Sequence, residues 1–210
     1  MKSVLLAFML FVVSTSLNAG QTNPAGNGAQ NGQGLAGNFK DMEGRILAVE
    51  RDPRYSRWRY DIAAFQSDAS RLFESAAAVK SQCLPNQGVV SDLCESAQTR
   101  EGLILADCLA VASLADPSSG SPDEDADTIR PQIEEWYSSG FDKSRLGIAQ
   151  YAGSMTPYRQ EIARADLLRR KAEQSANAGD WTGGLIFLRH SQLIMHDVFF
   201  TVFHTVQPGK

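Results

Sequence analysis

Three histidines, three cysteines and a short acidic run hold most of the chemistry this chain could perform. His190, His196 and His204 all fall in the last apolar stretch, from Trp181 to about Val206. His190 and His204 share a helical face but stand about 21 Å apart at the helical rise. No pair has the i, i+4 spacing that brings two imidazoles onto one metal ion. His196 beside Asp197 is the one combination with acid–base potential, and no nucleophile-elbow sequence completes it. The histidines therefore read as core or boundary residues, and no catalytic residue, metal site or cofactor is expected.

Cys83, Cys94 and Cys108 contain no C-x-x-C, which argues against redox, zinc-ribbon and haem-attachment roles. Asp123, Asp125, Asp127 and Glu134 take positions 1, 3, 5 and 12 of a calcium-binding EF-hand loop. Thr128 replaces the glycine such a loop needs for its turn, so an acidic loop charging the start of the next helix is expected instead. Arg54-Tyr55-Ser56-Arg57-Trp58-Arg59-Tyr60 interleaves three arginines with three aromatics. With Tyr55 and Trp58 turned inward, Arg54, Arg57 and Tyr60 form a basic aromatic edge. Arginine and tyrosine are favoured at protein-recognition surfaces. These three are the expected binding residues.

The elements that position these groups are helical. Tyr55, Trp58, Ile62, Phe65, Ala69, Leu72, Ala76, Val79 and Cys83 recur in steps of three and four, an a/d seam. Val90, Cys94, Ala97, Ile104, Cys108, Val111 and Ala115 form a second seam, interrupted by Glu101. The turn-rich segment Leu84–Gly88 between them is short, which forces an antiparallel hairpin over about 54–115. With its midpoint near Gly88, that hairpin sets Cys83 opposite Cys94. A disulfide there would contribute about 3 kcal/mol or a little less and leave Cys108 free.

Further helices are expected over about 128–137, 142–151 and 156–178, the last opened by Thr156 and Pro157 as N-cap and first residue. The stretch from Trp181 to about Val206 is apolar nearly all round and reads as a buried central helix. Ala178-Gly179-Asp180-Trp181, followed by Gly184, resembles the inter-helix turn of a tetratricopeptide repeat. The resemblance covers one turn and the helix after it, with no second copy at the repeat period, and implies an αα-hairpin. The expected fold is an all-α bundle of about five or six helices.

The first nineteen residues carry Lys2, an unbroken apolar run from Val4 to Val13, and Leu17 and Ala19 three and one residues before Gly20. This is the layout of a cleaved signal peptide, too short to span a membrane. Residues 20–37 are uncharged and mostly Gly, Asn and Gln, and read as a flexible tether; residues 38–207 form the helical domain. The net charge of −4 argues against general nucleic-acid binding, which needs a basic surface. The mature chain is expected to be exported, periplasmic or extracellular, without a transmembrane segment. The preferred function is a non-enzymatic protein-binding module, such as an inhibitor, an immunity-type protein or an accessory subunit of an envelope machine. A small-molecule or lipid carrier and an enzyme with dispersed catalytic residues are the alternatives.

Overall fold

The computed structural model describes residues 35–81, 92–116, 126–152 and 154–206, and within them the chain is an all-α bundle. Helix α1, Leu35–Arg51, places Phe39, Ile46 and Val49 in the core on one stripe. It begins inside the stretch read as tether, three residues before the expected domain start. The Phe39 ring stacks on Phe73 at 4.0 Å between centroids.

A six-residue 3₁₀ segment, Pro53–Trp58, follows. Asp52 caps it, accepting from the Arg54 N–H at 2.8 Å, and Pro53 supplies the preset φ of a first turn. The seam helix expected from residue 54 therefore starts later, as α2, Arg59–Ser81. The tighter coil turns Tyr55 inward, where its hydroxyl donates to the Leu114 carbonyl at 3.1 Å.

Helix α3, Asp92–Ala112, runs antiparallel to α2: Lys80 near the end of α2 pairs with Glu101 at 2.8 Å, while Tyr55 before α2 bonds Leu114 after α3. Glu101, the residue that breaks the second seam, is buried and held by that lysine. The hairpin turn lies outside the described residues. So do Cys83 and the side chain of Cys94, the two expected disulfide partners, and most of the acidic loop before Ala126.

Helix α4, Ala126–Glu135, passes through a π-turn, Trp136–Gly140, into α5, Phe141–Tyr151. Gly140 permits the wider turn, because a Cβ there would sit 2.9 Å from the Trp136 ring. Thr156 does not cap the next helix. It opens a short 3₁₀ turn, and its own N–H donates to Ser154 Oγ at 3.3 Å. Helix α6, Arg159–Asn177, follows.

Helices α6 and α7, Trp181–Val206, form the expected αα-hairpin. Gly179 at φ +75° allows the Asp180 N–H to bond Ser175 O at 2.8 Å and the Gly179 N–H to bond Ala176 O at 3.0 Å. This is a Schellman stop. Asp180 then caps α7 by accepting from the Gly183 N–H at 2.9 Å. Helix α7 is the axis of the bundle, in contact with α2, α3, α4, α5 and α6, and is buried without a break from Trp181 to Ser191. Among the described residues no helix is long and apolar enough to cross a membrane.

Candidate functional site

An apolar helix at the centre of a bundle can carry polar side chains only if neighbouring helices answer them, since an unpaired buried charge is strongly unfavourable. Helix α7 carries two such stripes: Arg189, Gln192 and His196 on one face, His190 and Asp197 on the next. Helix α3 answers with Arg100 and Asp107, also seven residues apart. Asp107 Oδ2 lies 3.2 Å from His196 Nδ1, and its other oxygen 3.8 Å from Arg189 Nη1. Arg189 also donates to Gln192 at 3.0 Å and to Gln132 of α4 at 2.7 Å. Asp197 pairs with Arg100. The adjacent His196 and Asp197, the one combination with acid–base potential, thus point to different partners.

A third cluster joins α2, α6 and α7. Asp68 Oδ2 accepts from His190 Nε2 at 2.7 Å and from Arg164 Nη2 at 2.5 Å. Burial raises the Asp68 pKa, but the bonds from His190 and Arg164 outweigh it and hold the carboxyl at about 2. At Asp197 burial prevails over Arg100 and the pKa is raised. Arg189 is lowered by burial, against the pull of Asp107. The Phe65 ring stands edge-on to His190 at 5.7 Å.

A carboxylate on one imidazole nitrogen is the orienting half of a general-base pair, and the other half is a nucleophile. Among the described residues neither His190 nor His196 bonds a hydroxyl or thiol. Ser191 is committed elsewhere, accepting from Trp136 Nε1 at 2.9 Å and donating to the Ala165 carbonyl at 2.8 Å. Cys108 is a buried free thiol whose pKa is raised by burial and by Asp107 and Glu43, away from the reactive thiolate. The interior clusters therefore lock helices together. Sequence reasoning missed their pairings, although charged residues inside an apolar helix signal that partners must exist.

The basic aromatic edge lies at the junction of the 3₁₀ segment with α2. Its three members are held differently. Arg54 is tied to Asp52 by a two-pronged ion pair at 2.7–3.2 Å. Arg57 is 73% exposed and lies 3.7 Å from Asp180, the cap of α7. Tyr60 is 88% exposed, the most open large hydrophobic side chain among the described residues. Beside Arg57 is a shallow basin of about 280 Å³ walled by Lys171, Gln174, Ser175, Asp180 and Phe187. The Lys171 ammonium lies 5.0 Å over the Phe187 ring and 3.7 Å from Asp61.

A deeper cleft of about 490 Å³ opens on another face of α6, where α4 and the first residue of α7 meet it. Glu134 of α4, Tyr137 of the π-turn, Glu173 of α6 and Trp181 of α7 line it. Of the acidic run, Asp127 and Glu134 lie exposed on α4, while Asp123 and Asp125 lie outside the described residues. Comparison with protein-family models, with curated proteins and with solved structures gives no match to this chain.

Proposed function

We propose that this chain is an exported, non-enzymatic protein-binding module, of the inhibitor, immunity-type or accessory-subunit kind, that meets its partner through the Arg57–Tyr60 edge. The observation that carries the reading is Tyr60, 88% exposed next to a 73% exposed arginine. A tyrosine left in water on a rigid helix start offers a large amphipathic contact at low entropy cost. Lys171 and the basin beside Arg57 extend the patch toward an acidic or polar partner.

The interior supports the same reading over the alternatives. Phe65, Phe187 and Phe200 are buried, and Phe199 packs against the core. His190 and His196 each face a carboxylate of a neighbouring helix.

The test is affinity capture from the host's extracytoplasmic fraction, using the purified chain as bait. A stoichiometric protein partner is expected, and protein recovered from that fraction should begin at Gly20. Recovery of the chain only from the cytoplasm, with its leader intact, would overturn the exported reading.

A further inference from the structure

The deeper cleft belongs to a different surface from the Arg57–Tyr60 edge. The shallow basin uses Lys171, Gln174, Ser175 and Ala178 of α6 and the turn after it, while the cleft uses Glu173, Ala176 and Asn177. At 100° per residue these sets lie on separate faces. The cleft's volume of about 490 Å³ falls in the range of small-molecule sites.

Many of the described carboxylates are paired, and the two that line this cleft are not. Asp52, Asp61, Asp68, Glu101, Asp107, Asp142, Asp166 and Asp180 each have a cationic partner within 4.0 Å. Glu134 and Glu173, reaching the cleft from α4 and α6, make neither an ion pair nor a hydrogen bond among the described residues. Arg130 is the single cation in the lining, and its guanidinium is stacked 5.0 Å over the Trp181 ring. That stacking shows the aromatic wall already accepts a cation. Ile133 and Ala176 add apolar surface, and Ser138 and Asn177 add hydrogen-bonding groups.

We propose that this cleft binds a small aliphatic organic cation carrying a primary ammonium group, with Glu134 and Glu173 as its counter-ions. The ammonium takes the two carboxylates, and the aliphatic stem lies along Ile133 and Ala176. An anionic ligand would meet two carboxylates against one arginine. A neutral apolar ligand would strip water from both carboxylates without replacing it. Arg130 competes with the ligand for the same aromatic and acidic surroundings, so it tunes affinity downward. The inference stands apart from the protein-binding reading and does not use the Arg57–Tyr60 edge.

The experiment is a titration of the purified chain with 1,4-diaminobutane, followed by calorimetry and by the Trp181 indole resonance. Saturable binding is expected at millimolar concentration or below. E134Q/E173Q should weaken it by about tenfold while leaving the melting curve unchanged, because Glu134 is exposed and Glu173 half-buried. R130Q should tighten it severalfold, a gain that misfolding does not mimic. Absence of saturation up to about 10 mM overturns the proposal. So does equal affinity in E134Q/E173Q, or equal binding of succinate or 1-butanol. Binding of a lysine-bearing peptide but not of the free diamine also overturns it, and assigns the cleft to a protein partner instead.

Discussion

Replacing Asp68 by Asn probes the α2–α6–α7 lock with almost no change in volume. The carboxyl sits at about 2 in the fold against an ordinary 3.8. At 1.36 kcal/mol per pKa unit, and allowing for screening at the 41% exposed Arg164, that difference is worth roughly 2 kcal/mol. The substitution also leaves His190, 3% exposed, and Arg164 without their shared anion. The total loss should be about 3 kcal/mol at neutral pH, the low end of the cost of breaking a buried pair.

The pH dependence is the sharper test. A carboxyl with a depressed folded pKa contributes stability that is fully present above 3.8 and is lost as pH falls toward about 2. Urea titrations of wild type and D68N should therefore differ most near pH 7. The gap should begin to close below pH 3.8 and be nearly gone at pH 2. A gap of the same size at both ends of that range would mean the loss comes from packing, and the electrostatic account of the lock would fail.

Two further outcomes follow from local geometry. G179A should cost about 1 kcal/mol in thermal or urea melts, because a Cβ is strained at φ +75° even with open space around it; an unchanged melt would mean the turn has another solution. Non-reducing peptide mapping should give a Cys83–Cys94 link and a free Cys108 that reacts with thiol reagents only after unfolding, in keeping with its complete burial, whereas a Cys83–Cys108 peptide would contradict the hairpin register.

The bundle was legible in the sequence where apolar periodicity is strong. The seam from Ile62 to Ala76, the buried last helix and the Gly179-Asp180 turn all appear as the residues suggested. Local rules failed where a proline competes with periodicity. Pro53 and Pro157 each lie in the first two residues of a 3₁₀ turn that precedes the helix. The polar locks were not legible, because Asp68 and His190 stand 122 positions apart and Arg100 and Asp197 are 97 apart. Their only sequence signal is the seven-residue spacing of charges on α3 and α7, which places them inward without naming a partner. The Glu134–Glu173 cleft was hidden for the same reason, being assembled from three separate helices.

The binding claim is tested most directly by Arg57→Glu combined with Tyr60→Ala. Both side chains are exposed, and the Arg57–Asp180 pair at 3.7 Å is a surface contact worth less than about 1 kcal/mol. The account predicts that the double variant melts within a few degrees of wild type and no longer captures the partner. A variant that folds normally and still captures it at wild-type levels would contradict the assignment of this edge as the interface.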